Sequence, residues 1–101
     1  ASRNLYLKAA WTTDNIGDAT VSASVAKAFA TDVAMETASE ALQIHGGYGY
    51  MKDLPLERYH RDAAVTTIYE GTNEIMKLII AYLKSLSKIQ ILAMALVVVP
   101  V

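Results

Sequence analysis

Asp18-Ala19-Thr20-Val21-Ser22-Ala23-Ser24-Val25-Ala26-Lys27-Ala28-Phe29-Ala30-Thr31-Asp32-Val33 sets the architecture of this chain. It opens on an aspartate, a residue type able to accept from the free amides of a helix start. Val21, Val25, Phe29 and Val33 then recur at helical spacing. This pattern predicts one long helix from Asp18 to about Ile44. Alanines fill its other faces, at positions 19, 23, 26, 28, 30, 34, 38 and 41. Small residues on several sides let neighbouring helices approach closely, as the inner helix of a bundle requires.

Working outward, Leu5 to Trp11 reads as the end of an earlier helix, and Thr12-Thr13-Asp14-Asn15-Ile16-Gly17-Asp18 as a turn rich in small polar residues. The first residues, Ala1 to Lys8, read as mid-helix, with no initiator methionine, apolar signal core or arginine-rich transit pattern. The chain is therefore expected to be a piece of a longer protein. After Ile44 the helical pattern breaks at Gly46, Gly47 and Gly49, and Pro55 restarts regular structure. Leu56 to Ala64 predicts a short helix in which Glu57 can meet Arg61 one turn later. Val65 to Tyr69 is β-branched and aromatic, a strand by propensity alone, but no partner strand is visible. An extended or short helical connector is the expectation there.

Gly71 precedes the last clear helix, which Thr72 or Asn73 can cap and whose positive end Glu74 complements. Ile75, Ile79, Tyr82, Leu83 and Leu86 are expected on its packed face, with Lys84 and Lys88 towards its C-terminal end. The fold class is all-α, an antiparallel helical bundle. Residues 1–88 form its body, and 89–101 an apolar tail expected to be buried or to face a partner.

Composition narrows the function. The 101 residues carry 53% hydrophobic and 19% charged side chains and a net charge of −1. A globule of this size buries roughly 65% of the surface its unfolded chain exposes, which suffices for one small core. Near-neutral charge excludes a basic nucleic-acid footprint, and high apolar content excludes a disordered chain. There is no cysteine, so disulfides and thiolate metal sites are absent. Two distant histidines make no metal site. The uncharged stretch from Ile89 is shorter than the about 20 residues of a membrane span.

Two segments have chemical potential. In Ile68-Tyr69-Glu70-Gly71-Thr72, a carboxylate stands just before a helix start, beside a glycine that leaves room for a ligand. Apolar neighbours Ile68 and Tyr69 would keep water from it, as a general base requires. The same residue type also serves as an ordinary turn or capping glutamate. In Gln43-Ile44-His45-Gly46-Gly47-Tyr48-Gly49-Tyr50, glycines after a helix allow backbone approach to a phosphate or nucleotide, and Gln43 offers amide donors and an acceptor. The same run also reads as a glycine C-cap followed by an aromatic loop. It is not a dinucleotide fingerprint, since no strand precedes it. Arg58, Arg61 and Asp62 read as structural ion pairs, and no G-x-S-x-G elbow or hydrolase triad order occurs.

Together, Gln43 to Tyr50, Pro55, Glu57-Arg58, Arg61-Asp62-Ala63 and Ile68-Tyr69-Glu70-Gly71-Thr72-Asn73-Glu74-Ile75 resemble the C-terminal helical domain of acyl-CoA dehydrogenases. The likeness extends from about Ala1 to Leu86 and fades in the tail. It implies FAD-dependent oxidation of the Cα–Cβ bond of an acyl-CoA thioester, giving a trans-2-enoyl-CoA. Glu70 matches the base that removes the α-proton as a hydride passes to the flavin. The amide of Glu70 matches a donor to the thioester carbonyl, with Gly71 leaving room for that substrate.

By the same resemblance, Gln43, Ile44, His45, Gly46 and Gly47 match a segment against the FAD of a neighbouring subunit. Thr72, Asn73 and Glu74 match one against the FAD of their own subunit. A shared site implies a homodimer or homotetramer, and electrons would leave to an electron-transferring flavoprotein. Bacterial cytoplasm and mitochondrial matrix both suit the family. Two alternatives remain beside this reading: an acyl-CoA oxidase-like relative, and a non-catalytic helical oligomerisation fragment.

Overall fold

A computed structural model describes residues 1–98. Five helices follow one another: α1 (Ser2–Asn15), α2 (Thr20–His45), α3 (Gly47–Tyr50), α4 (Leu56–Thr66) and α5 (Asn73–Val98). No strand occurs among the described residues, so the chain is an all-α helical bundle. Its axis is α2, on which α1, α4 and α5 all pack, rather than on one another.

The alanines explain why α2 can be central. Ser24, Ala26 and Ala28 are its buried residues. Ala26 and Ala28 lie about 200° apart around the helix, so opposite faces are covered. The larger apolar stripe is less covered: Val21, Val25 and Val33 are half-buried and Phe29 is exposed. Close approach at small side chains, more than a bulky core stripe, holds the bundle together.

Asp18 sets the start of α2 from one position further out than a helix cap. Its Oδ1 accepts from the Thr20 amide at 3.0 Å and from the Thr20 hydroxyl at 2.7 Å. The cap position itself is Ala19, which makes no side-chain bond. Gly46, at φ 58° and ψ −136°, ends the helix in a conformation that favours glycine.

Several local expectations are corrected. Helix α1 does not end at Trp11 but runs through Asn15, because Thr12 and Thr13 turn their hydroxyls back onto the carbonyls of Lys8 and Ala9 at 2.8 and 3.0 Å. Gly47 to Tyr50 forms one helical turn instead of an open loop. The β-branched run after Ala64 closes α4: Thr66 and Thr67 donate to the Ala63 and Ala64 carbonyls at 2.6 and 2.9 Å. Those bonds satisfy carbonyls that a helix end leaves free.

Thr72 caps α5 by accepting from the Ile75 amide at 3.3 Å. The half-buried side of α5 is Met76, Ile79, Ile80 and Leu83, whereas Ile75, Tyr82 and Leu86 are exposed. Ile89 to Val98, expected as a tail, continues α5 without a break. Val99, Pro100 and Val101 lie outside the described residues.

Packing follows the order of the chain. Leu56, Tyr59 and Ala63 of α4 share a groove with Ala34, Ala38 and Ala41. Asn73 meets Ala28 and Thr31, and Lys84 lies beside Val21, Ser22 and Val25. Thus α4 and α5 run back in succession along α2, and α5 then passes beyond its start. The result measures 72 × 25 × 21 Å with a radius of gyration of 19.4 Å, against roughly 13 Å for a compact domain of this length. Among the described residues, Ala26 and Ala28 are the buried hydrophobic ones, and no large side chain is fully buried. The single core expected from composition is therefore not closed by these residues alone.

Candidate active site

The turn between α4 and α5 is built by exhausting the hydrogen bonds of the preceding helix. The amides of Ile68 and Tyr69 both donate to the Val65 carbonyl, at 3.0 and 3.1 Å. Glu70 then enters left-handed space at φ 54°, the one non-glycine described residue to do so, and Gly71 follows at φ 90°. Such a backbone is unfavourable for a glutamate and persists only where its surroundings impose it. Beyond the turn, the Asn73 amide donates to the Thr67 carbonyl at 3.0 Å, closing the segment into a loop. The amides of Glu70, Gly71 and Thr72 donate to no described group.

A polar cluster on α2 supplies the imposing surroundings. Lys27 Nζ donates to the Gly71 carbonyl at 2.8 Å and to Asn73 Oδ1 at 2.7 Å. Asn73, only 3% exposed, donates through Nδ2 to Thr31 Oγ1 at 2.8 Å and Asp32 Oδ1 at 2.7 Å. A longer bond of 3.4 Å joins Nδ2 to the Ala28 carbonyl, and Lys77 lies 3.8 Å from the other Asp32 oxygen. Asn73 is one of the residues expected along a cofactor, and its carboxamide is bonded within the fold. Thr72 and Glu74 flank it, half-buried and exposed respectively.

Ile68 and Tyr69 are 62% and 52% exposed. They do not enclose Glu70, contrary to the sequence expectation, because the chain places no second layer over the turn. Glu70 itself is exposed and Gly71 half-buried.

The second segment lies at the far end of α2. Gln43, Ile44, His45, Gly46 and Gly47 are all exposed, Ile44 by 80%. His45 donates from Nδ1 to the Ala41 carbonyl at 2.8 Å. A Cβ on Gly47 would meet nothing within 4 Å, and its φ is ordinary, so nothing within this chain explains that glycine. Eighteen residues of α2, about 27 Å of helix, separate Lys27 from His45 at its end. The chain therefore does not bring the two segments together. Arg58–Asp62 and Arg61–Glu57, at 3.4 and 3.0 Å, are one-turn ion pairs on the surface of α4, as read from sequence. Among the described residues, no three His, Asp or Glu side chains form a metal-sized group, and no helix is long and apolar enough to cross a membrane.

Sequence reasoning missed Lys27. Its signal was there: it is the sole charged residue between Asp18 and Asp32.

Comparison with known proteins places this geometry. Residues 1–83 match the family described as acyl-CoA dehydrogenase, C-terminal domain. An acyl-CoA dehydrogenase of Bacillus subtilis is 66% identical over 59 residues, covering 58% of this chain and 16% of that protein. The structure of butyryl-CoA dehydrogenase from Megasphaera elsdenii superposes with a TM-score of 0.76 at 48% identity, over 79% of this chain and 21% of that one. A chain from the structure of the electron transferring flavoprotein of Acidaminococcus fermentans gives the same TM-score at 46% identity, over 79% and 21%. The chain belongs to the acyl-CoA dehydrogenase family. It spans about a fifth or less of the length of these relatives.

Proposed function

We propose that this chain is the C-terminal part of an FAD-dependent acyl-CoA dehydrogenase in which Glu70 is the base. The observation that carries the proposal is the turn at Glu70: a carboxylate held in left-handed backbone beside three amides without partners among the described residues. An α-proton next to a thioester is only weakly acidic. Its removal needs a positioned base, together with donors aimed at the carbonyl oxygen where negative charge develops. The Glu70 side chain supplies the first and its own amide the second, while Gly71 keeps the approach clear of a side chain. Glu70 takes the proton from Cα and becomes the neutral acid, and the C–H electron pair forms the new π bond. FAD, when bound, supplies the acceptor for the β-hydrogen and its electron pair.

The residues suit such a cofactor. Gln43, His45 and the bare Gly46-Gly47 backbone offer polar groups with no steric cover, and Ile44 offers an exposed apolar face for a ring system. Because about 27 Å of α2 separates them from Lys27, which meets the Glu70 turn, they would serve the cofactor of a second subunit, whereas Thr72 and Glu74 would serve that of their own. A homodimer or homotetramer follows from that division. The likeness to a chain from an electron transferring flavoprotein structure supports such a flavoprotein as electron acceptor. Glu70→Gln keeps the shape and removes the base. In the assembled enzyme it is expected to abolish flavin reduction by a saturated acyl-CoA while flavin stays bound. Full reduction in that variant would refute the assignment.

One observation favours the reading as a non-catalytic assembly fragment: Ile89, Ile91, Leu92 and Met94 are each more than half exposed along α5. An assembled protein that oligomerises through this segment and never takes up flavin would support that view instead.

A further inference from the structure

We propose that Lys27 is a positioning residue: through the Gly71 carbonyl and the Asn73 carboxamide, it holds the Glu70–Gly71 turn in the backbone conformation that aims the base. This rests on Glu70 being the base. Three features carry it. The turn is strained at Glu70, φ 54°, so it needs external restraint. Its own backbone closes the loop only at its ends, through the Asn73 amide and the Thr67 carbonyl, while the amides of Glu70, Gly71 and Thr72 have no partner among the described residues. Lys27 reaches across 44 residues to grip the one carbonyl that follows the base, and its second bond, to Asn73 Oδ1, ties that grip to the start of α5.

The chemistry of the grip is unusual for a purely structural lysine. A part-buried ammonium is ordinarily set against a carboxylate, yet both acceptors here are neutral oxygens. Asp32, the nearest acid in the cluster, accepts instead from Asn73 and faces Lys77. Asn73 thus works as a relay: its oxygen receives Lys27, while its amino group is anchored to Thr31 and Asp32. Because Lys27 makes two bonds of 2.7–2.8 Å, losing its charge and reach would free the Gly71 carbonyl and let the turn relax towards ordinary backbone.

The test uses the flavin-loaded enzyme with Lys27→Met, Lys27→Arg and Thr31→Val. Lys27→Met is expected to lower kcat by about 100-fold, as small misplacements of a reacting group do, with KM changing far less and flavin retained. Lys27→Arg, which keeps a cation of similar reach, should recover part of the loss. A glutamate-specific protease adds a readout independent of turnover: cleavage after Glu70 should accelerate in Lys27→Met, while cleavage after Glu36 and Glu40 on α2 stays unchanged. Thr31→Val, which removes one anchor of Asn73, should shift both readouts in the same direction by less, and it decides the matter should Lys27→Met not fold. Wild-type kcat and wild-type cleavage after Glu70 in Lys27→Met, or in Thr31→Val where the former does not fold, would overturn the proposal. So would uniform loosening of α2 and the turn together. If Glu70 is not the base, Glu70→Gln retains turnover while Lys27→Met still exposes the turn, so the two failures are distinguishable.

Discussion

A Cβ at Gly49 would lie 2.5 Å from the Leu42 carbonyl oxygen and 3.1 Å from the His45 Cβ, whereas one at Gly47 would meet nothing within 4 Å. Backbone cannot move aside as a side-chain tip can, so Gly49→Ala is expected to destabilise the fold by about 1–3 kcal/mol. Gly47→Ala should leave stability within about 0.5 kcal/mol and yet weaken flavin retention, if that surface meets a cofactor. Parallel urea melts and flavin-release measurements on the two variants separate these outcomes. Glu70 offers a complementary test of strain. Glu70→Gly relieves the left-handed backbone and should unfold about 1 kcal/mol less readily than Glu70→Ala, which keeps the strain; equal stabilities would mean that the turn is not strained. At this scale the turn at Glu70 and Gly71 was legible in sequence, whereas the role of Glu70 as a base came from the family resemblance, the residues alone leaving an ordinary turn glutamate open. Lys27 was not, because its partners lie 44 and 46 positions away and periodicity reports only the helix that carries it.

Helices behave likewise. The long central helix could be read from its spacing, since an alanine-rich stripe pattern has one favourable solution. The ends were harder: hydroxyls at Thr12, Thr13, Thr66 and Thr67 bond back to their own helices, a choice that composition leaves open between turn and helix. In α4, Arg61 bonds the Glu57 carboxylate and holds it below the ordinary glutamate value of 4.5. A carboxyl with a depressed folded-state value contributes stability that is present above 4.5 and is lost as pH falls through the folded value. Acid melts of the wild type should therefore lose stability in that window, and Glu57→Gln should flatten this component. At neutral pH the same variant should melt only slightly earlier, since a surface ion pair contributes little. A wild-type acid profile in Glu57→Gln would assign the sensitivity elsewhere.

The whole molecule is an open array rather than a closed globule. Its 72 Å length reflects α5 running past the start of α2, and the exposed Tyr6, Trp11, Ile44, Leu78 and Ile91 are surfaces that a partner or further chain would cover. Composition indicated enough apolar material for a core, but it does not report whether helices close around one another, so this feature was not legible. The chain in isolation is expected to self-associate, and a version ending at Lys88 to do so less at equal concentration, by sedimentation. Equal association would place the sticky surface elsewhere than the end of α5. The decisive measurement for the proposed activity is the absorption spectrum of the assembled, flavin-loaded protein during anaerobic addition of a saturated acyl-CoA. The flavin band is expected to bleach as substrate is added; a bound flavin that no saturated acyl-CoA reduces would contradict the assignment of Glu70 and of the reaction.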